Sequence, residues 1–545
     1  MIRALFAKSF WLVKLIPGFL LWASFPPMGE KMDCLFALAP LLWFSRTGGI
    51  DLRRRTHGTV DLPRPPSLAV RSARLWFANG FFFWFATLAW MPAIVKNGGP
   101  WPLVALGWGL LAAYCALYFA AFGFLAAKAW AWAKAGGYGR RLVTLLVVEP
   151  VAWAGLEIVR SRVGGGFAWN QLGVAPVNAG FGAPAVLGGV SLVSALVVLV
   201  NGTIASIAER MYRPTAVGLP NWARSIETFL PLLIVWGVFA ASEPFVVRPG
   251  ADAETLRVAL VQRNFPSVFA RDREEDPVEV YTRLLTAVRH VQPELIVLPE
   301  SAFCEIGAVD APHARRFAAW LGGAARTPVL AGGNRRSADG RAYNSAALYR
   351  DETVQIYDKV HLVPFGEFIP LDKVIPVLQR LAPVGTCWPG ELKLLDAKVP
   401  VGAGICYEDT DSAQARRLAE MGARALCFIT NDSWFSQSDE AVQHAWQAVA
   451  RAIETGLPVL RVGNSGVTGT IAADGTASWL KGADGRELVD TAATMCDALA
   501  LGDAGRAPTP YVRLGDKPLV GAFLILLAVL FVPRRRRVTV LSTER

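Results

Sequence analysis

Three side chains in the second half of the chain have the types needed for acyl transfer. They are a carboxylate in Leu298-Pro299-Glu300-Ser301-Ala302, an amine in Tyr357-Asp358-Lys359-Val360-His361-Leu362 and a thiol in Gly404-Ile405-Cys406-Tyr407-Glu408. A thiol attacks a carbonyl only as its thiolate, and at its free pKa only a few per cent is ionised at neutral pH. A carboxylate within reach can take the proton, and an ammonium can steady both the thiolate and the tetrahedral oxyanion that follows. Each residue alone has a plainer reading: strand-end packing for Cys406, a solvated loop for Glu300, surface charge for Lys359. Together, in this order, they are a chemically complete acyl-transfer set.

All three follow apolar strand-like segments or lie in Gly/Pro-punctuated loops, where α/β enzymes carry their chemistry. Residues 256–262 alternate as a strand does, 278–291 reads as a helix, and 295–298 is a short, continuously apolar strand. Similar strands are expected at 328–333, 401–406 and 425–430, with helices at about 312–324, 411–421 and 441–456. Antiparallel pieces are expected at 345–349 and 354–357. Strands alternating with helices, plus antiparallel edges, indicate a layered α/β sandwich.

The remainder of the chain is of another kind. Of 545 residues 53% are hydrophobic and only 18% charged, with mean hydropathy +0.35, whereas a soluble protein is about a quarter charged. A bilayer core takes about 20 apolar residues per helix, and candidate spans lie at 9–26, 32–45, 75–95, 101–131, 142–160, 179–207, 227–243 and 517–533. No cleavable signal peptide is expected, because more membrane follows the first apolar segment. This divides the chain into a helical transmembrane bundle at 1–245, a water-facing domain at 252–505, and a last transmembrane helix with a basic tail at 506–545.

Lys and Arg set the direction of insertion. Arg3 and Lys8 precede the first span. Arg46, Arg53, Arg54, Arg55, Arg64, Arg71 and Arg74 follow the second, Lys128, Lys134, Arg140 and Arg141 the fourth, Arg210, Arg213 and Arg224 the sixth, and four arginines at 534–537 the last. The alternate loops hold only Lys31, Lys96, Arg160 and Arg162. Both termini are therefore expected in the cytoplasm and the α/β domain outside it. Much of the formal charge of +11 is this topology signal, so nucleic acid is not an expected partner. Glu149 and Glu157, inside the fifth span, are candidates for a functional or an interfacial role. The loop at 164–171, with three glycines, Phe167, Trp169, Asn170 and Gln171, reads as an interfacial anchor rather than a lipid access path. The seven cysteines show no disulfide spacing; Cys34 and Cys115 lie in apolar segments and read as packing.

Glu, Lys and Cys in that order on an α/β sandwich resemble the nitrilase superfamily. The run Lys359-Val360-His361-Leu362-Val363-Pro364-Phe365-Gly366-Glu367-Phe368-Ile369-Pro370 narrows the likeness to the apolipoprotein N-acyltransferases. So do Thr430-Asn431-Asp432-Ser433-Trp434-Phe435, His444-Ala445-Trp446-Gln447, Asn464-Ser465-Gly466-Val467-Thr468, Trp169-Asn170-Gln171-Leu172-Gly173 and the segment Thr509-Pro510-Tyr511-Val512-Arg513-Leu514-Gly515-Asp516. The resemblance implies about eight transmembrane helices and a nitrilase-like extracytoplasmic domain. It implies Glu300 as general base, Lys359 as oxyanion-stabilising cation, Cys406 as nucleophile and Glu367 as a second, ordering carboxylate. Tyr407 and Glu408 would support the nucleophile, and Trp434 would belong to a mobile lid or substrate arm. It also implies a phospholipid donor, phosphatidylethanolamine in this family, a diacylated apolipoprotein acceptor, and residence in the bacterial inner membrane with the domain facing the periplasm. No metal or cofactor is implied. The chain departs from the family at Leu298, where Trp commonly precedes Pro-Glu, and after Gln262-Arg263-Asn264, where Phe269 and Arg271 occur and no Trp.

Both substrates carry long chains, and at about 0.8 kcal/mol per CH₂ a sixteen-carbon chain costs roughly 12 kcal/mol to draw into water. A thiol that meets such an ester must work at the lipid surface. A membrane-tethered amidase acting on small amides would share every catalytic residue. A transporter or receptor with a merely ligand-binding outer domain would not need the thiol. A Cys–His pair between Cys406 and His361 is the less fitting arrangement beside an acid and a cation.

Overall fold

Apolar runs that must satisfy their own backbone become helices, the one open-ended arrangement in which every N–H finds a carbonyl within its own segment. The computed structural model describes residues 14–48, 66–212, 220–250, 252–265, 276–304, 308–323, 326–369, 386–503 and 505–531. Within these, five helices are long and apolar enough to cross a membrane: α3 (Leu68–Asn97), α4 (Trp101–Lys134), α5 (Tyr138–Arg160), α6 (Ala185–Tyr212) and α7 (Asn221–Phe245). Three apolar helices are shorter: α1 (Lys14–Ala23), α2 (Cys34–Thr47) and α12 (Lys517–Phe531). Each of the eight expected spans overlaps one of these helices, five of them of membrane-crossing length; residues 9–13 and 532–533 of the first and last spans lie outside the described residues, and α6 starts later than expected because Val177–Phe181 forms a separate π turn first. Arg3, Lys8, Arg53, Arg54, Arg55, Arg64, Arg213, Phe269, Arg271 and the arginines at 534–537 lie outside the described residues.

Glu149 is held inside the bundle by a cation. Arg46 Nη2 lies 2.6 Å from its Oε2, both side chains fully buried, and Trp130 Nε1 donates to Oε1 at 2.6 Å. Arg46 also donates to Gly202 O and Ser206 Oγ, so each charge is answered at short range. Glu157 accepts the backbone N–H of Leu172 at 2.8 Å and fixes the loop that follows α5.

The α/β part contains two six-stranded sheets. The first has the order β12-β1-β2-β3-β4-β5, with β1 Thr255–Gln262, β2 Leu295–Val297, β3 Val329–Arg336, β4 Ala342–Arg350, β5 Thr353–Asp358 and β12 Ala493–Ala500. The second has the order β11-β10-β9-β8-β7-β6, with β6 Leu394–Asp396, β7 Pro400–Ile405, β8 Ala425–Thr430, β9 Val459–Gly463, β10 Gly469–Ile471 and β11 Ala477–Trp479. In each, three parallel strands are flanked by antiparallel ones. Successive residues of a strand face opposite ways. Val258, Leu260, Val297 and Leu348 accordingly meet Val401, Ala403, Cys427 and Ile429 in one core between the sheets. On the far side of the first sheet, Ala259, Val261 and Val329 pack on α8 (Pro277–Thr286) and α9 (Pro312–Gly322).

The far side of the second sheet meets the bundle. Leu426 and Phe428 share one apolar cluster with Leu418 of α10 (Ser412–Glu420), Val449 and Ile453 of α11 (Glu440–Thr455), and Trp169, Val186 and Trp153 of the bundle. Every residue of α11 except Val442 is buried, so this helix is a shared core element. Its polar side chains are spent on the seam. Gln443 Oε1 accepts from Trp169 Nε1 at 3.0 Å and Asn170 Nδ2 at 3.1 Å, while its Nε2 donates to Pro26 O and Thr87 O. Gln447 Nε2 donates to Asn170 Oδ1 at 2.8 Å, and Glu454 Oε1 accepts Val190 N–H at 2.8 Å. The loop at 164–171, expected as an interfacial anchor, instead grips the α/β part, because its indole and amide groups find buried partners there.

Gln443→Ala strands the indole N–H of Trp169 and the amide of Asn170, each buried donor costing about 1–3 kcal/mol. The detergent-solubilised variant is expected to melt several degrees below the parent; an unchanged melting midpoint would show that the seam does not rely on this amide.

Candidate active site

Glu300 sits three residues beyond β2, in a turn whose next residue, Ser301, has φ +63°. Strand β3 passes so close that a Cβ on Gly332 would lie 2.6 Å from Glu300 Cα. Only glycine fits, and the turn is thereby wedged against the sheet. Lys359 follows β5 directly and its side chain is 1% exposed. Its ammonium lies 2.9 Å from Glu367 Oε2 and 3.0 Å from Oε1. Glu367 also accepts Val363 N–H at 2.8 Å, across a tight turn in which Phe365 takes φ +62°. Asn344, on β4, donates from one amide nitrogen to Glu300 Oε1 and to Glu367 Oε1, both at 2.7 Å. It spaces the two carboxylates.

Cys406 comes from the other sheet, at the end of β7, with φ +54°. Non-glycine residues rarely adopt this conformation, and where they do the strain is commonly found at functional sites. Glu408, two residues on and fully buried, explains why the strain persists. Its Oε2 accepts Ile405 N–H at 2.7 Å, its Oε1 accepts Val360 N–H at 2.8 Å and His361 N–H at 2.9 Å, and Tyr357 Oη donates to it at 2.8 Å. One carboxylate thus ties the thiol's turn on one sheet to the lysine's loop on the other.

The electrostatics divide the two acids. Burial pushes Glu300 upward; Lys359 pulls it down, and Glu367 pushes it up again. Burial also acts against the charge on Glu367, but Lys359 and Asn344 overcome it and keep that group below the usual carboxylate range. Burial opposes the ammonium of Lys359, yet Glu367, Cys406 and Glu300 hold it above its ordinary value. The thiol of Cys406 is pushed well above the ordinary range by burial first and Glu300 second, with Lys359 opposing and Asp432 and Glu367 adding. The surroundings thus drive the two acids apart: Glu367 is held toward its ionised form against Lys359, and Glu300 toward its protonated form. The arrangement can deprotonate a neutral thiol and place a cation beside it.

The remaining expected residues sit around this core in different ways. The hydroxyl of Tyr407 turns to the bundle, taking Ala168 N–H at 3.0 Å and donating to Gly166 O at 3.3 Å. Trp434 lies half-buried in the turn Asp432–Phe435, and its carbonyl accepts Asn97 Nδ2 at 2.8 Å. His361 turns away from the thiol: Nδ1 lies 3.2 Å from Asp411 Oδ2 and Nε2 2.9 Å from Gly165 O. Beside the lysine loop a groove of about 940 Å³ opens between the α/β part and the start of α12, lined by Val360, His361, Cys387, Trp388, Arg416 and Val520.

Asn344 was missed by sequence reasoning, although an Asn in mid-strand, where its type is depleted, is a usable signal. The same holds for a buried network of Asp409, Asp432, Glu440, His444 and Arg461. Among the described residues Asp432, Glu440 and His444 form the one group with metal-ligand spacing. Both ring nitrogens of His444 already face carboxylates, however, and Arg461 Nη2 stands 3.6 Å from Asp432 Oδ2, so the protein's own cations answer these acids.

Known proteins resemble this chain in both parts. Residues 257–493 match the model of the carbon-nitrogen hydrolase family, and residues 17–203 that of the apolipoprotein N-acyltransferase N-terminal domain. An apolipoprotein N-acyltransferase of Geobacter metallireducens is 30% identical over 85% of each chain. One of Methylococcus capsulatus is 32% identical over 78% of this chain and 80% of its own. A solved Nesterenkonia amidase of the nitrilase superfamily covers 50% of this chain and 97% of its own at 17% identity and a TM-score of 0.36, too remote to add to the family models.

Because Cys406 is raised, its thiolate forms only at higher pH than that of a free thiol. Site-resolved alkylation by iodoacetamide is expected to rise with a midpoint above the free value of about 8.5; a midpoint below it would contradict the burial argument. Glu408→Ala removes one acceptor from three backbone N–H groups, each worth about 1–3 kcal/mol if left dry. A clear fall in melting midpoint is expected, together with slower labelling of Cys406, and parent-like values in both would exclude the clamp.

Proposed function

We propose the chemistry that follows from one premise: this chain belongs to the apolipoprotein N-acyltransferase family. It is an acyltransferase, and its reaction moves an acyl chain from a membrane phospholipid to the amino group of the diacylglyceryl-cysteine that begins an apolipoprotein. The electrostatic influence of Glu300 and Lys359, from one sheet, on the Cys406 thiol at the end of β7 in the other is the observation that supports the mechanism.

In the first half-reaction the carboxylate of Glu300 accepts the Cys406 proton as sulfur attacks the ester carbonyl carbon. The oxyanion that forms is met by the ammonium of Lys359, whose own charge is balanced by Glu367. Collapse breaks the ester C–O bond, Glu300 returns the proton to the departing glycerol oxygen, and a lysophospholipid leaves while the acyl group stays on sulfur as a thioester. In the second half-reaction the amine of the acceptor attacks that thioester, Glu300 takes the amine proton, the C–S bond breaks and the proton returns to Cys406. Phosphatidylethanolamine is the donor the resemblance supports. Asn344 and Glu408 hold the reacting groups, Tyr407 fastens the nucleophile's turn to the bundle loop, and Trp434 serves on the arm that admits substrate.

The eight apolar helices cross the bacterial inner membrane, residues 1–245 and 506–545 forming the membrane part and 252–505 the catalytic domain. The basic loops alternate, which supports cytoplasmic termini and a periplasmic site. At the bilayer surface both lipid chains stay in hydrocarbon while their head ends reach the thiol.

Purified protein mixed with phosphatidylethanolamine vesicles and a diacylated lipopeptide is expected to give triacylated product, with a lipid-derived acyl mass on the Cys406 peptide when acceptor is withheld. Cys406→Ala is expected to lose at least about 10⁴-fold in rate, the scale on which removal of a nucleophile acts. Equal transfer by both proteins would remove Cys406 from the reaction, and turnover of small amides without an acyl adduct would point to hydrolysis instead.

A further inference from the structure

His444 lies on α11, buried, and takes no part in the steps above. Its Nε2 stands 2.9 Å from Asp409 Oδ1 and its Nδ1 3.0 Å from Asp432 Oδ1, with Glu440 Oε1 3.6 Å from Nδ1. Asp409 belongs to the short turn Cys406–Thr410 that begins with the nucleophile, and Asp432 opens the turn Asp432–Phe435 that carries Trp434. One imidazole therefore spans the two loops that leave neighbouring strands β7 and β8. Each ring nitrogen stands within 3.0 Å of a carboxylate oxygen, a setting that favours the imidazolium over the neutral ring. The bundle closes the other side, for the Trp169 ring lies 5.2 Å from the imidazole and the adjacent Gln443 holds the Trp169 indole.

The charges around the ring are Asp409, Asp432, Glu440 and Arg461, whose Nε lies 3.2 Å from Asp409 Oδ2. Burial works against the imidazolium, but Asp409 and Asp432 raise it to about 10. Burial likewise opposes ionisation of Asp432, yet His444 and Arg461 bring it down to about 2. Glu440 is pushed well above the carboxylate range, by burial first and by Asp432 next. The negative charge of Asp432 is felt at the reacting groups, raising both Glu300 and Cys406.

We propose that His444 is a positioning residue for acyl transfer: bridging Asp409 and Asp432, it fixes the Cys406 turn against the Trp434 loop and cancels negative charge that Glu300 and the thiol would otherwise meet. The proposal rests on Glu300 as the base.

The test is the pH profile of kcat/KM of full-length protein in phosphatidylethanolamine vesicles with a diacylated lipopeptide. In His444→Gln the uncompensated carboxylates raise Glu300 further, so the acidic limb moves to higher pH by about one unit, and kcat falls about tenfold with both KM values little changed. Asp409→Asn added to His444→Gln removes one carboxylate and moves the limb back. Asp432→Asn alone moves it the opposite way, to lower pH, and decides the matter if His444→Gln does not fold. A limb that stays at its parental position in a folded His444→Gln, or in Asp432→Asn, overturns the bridge. Glu300→Gln run alongside separates the two ideas. Its inactivity leaves the bridge to be judged on the limbs. Full activity in Glu300→Gln removes the base, and the bridge is then judged by iodoacetamide labelling of Cys406, whose pH midpoint rises in His444→Gln if the bridge acts and stays put if it does not.

Discussion

The ammonium of Lys359 is almost completely withdrawn from water, and an isolated buried charge costs several kcal/mol even after the protein relaxes around it. That cost organises the site. A carboxylate must stand beside the amine and stay ionised, and Glu367 does so at 2.9 Å. Its position requires the tight turn around Phe365, and its spare lone pairs require donors, which Val363 and Asn344 supply. A second carboxylate placed beside such a pair finds the cation already neutralised. Glu300 is in that situation, so its burial is incompletely compensated and its carboxyl is held above the usual carboxylate range, where that of Glu367 is held below it.

The same economy of charge recurs at each depth of the molecule. Arg46 answers Glu149 in the bundle, Glu408 is saturated by backbone N–H groups and a tyrosine hydroxyl, and His444 with Arg461 answers Asp409 and Asp432. Removing one member of such a buried set leaves its partner dry and unpaired, which costs more than the pair contributes. The acids and bases of this protein thus act in groups, and their reactivity cannot be assigned to single residues apart from their neighbours.

Helix α11 joins these groups to the membrane part. Because it is buried all round, it has one side toward the second sheet and the nucleophile's turn, and another toward the loop after α5. Bundle and α/β part therefore form one packed body at this seam. The turn that carries Cys406 is consequently held against the loop after α5 through the Tyr407 hydroxyl, and such fixed placement is what orientation of a bound reactant requires.

Much of this was legible in the sequence. Apolar runs located the helices of the bundle, alternation located β1, continuous apolar segments located β2, β3, β7 and β8, and short antiparallel pieces located β4 and β5, because burial pattern is a local property of a strand or helix. Glu300, Lys359 and Cys406 were legible because each follows such a segment. Other features were not. Glu300 and Lys359 belong to one sheet and Cys406 to the other, and only the packing of the two sheets decides that they meet. The clamp by Glu408 reaches back to residues 360 and 361, Asn344 reaches residues 300 and 367, and Trp169 reaches residue 443. These contacts join positions dozens to hundreds of residues apart, where periodicity carries no information. The sequence by itself determined which segments are apolar, which strands exist and which residue types are available for chemistry; the tertiary structure decided which of those residues share a dry space, because pKa and reactivity depend on neighbours that only folding brings together.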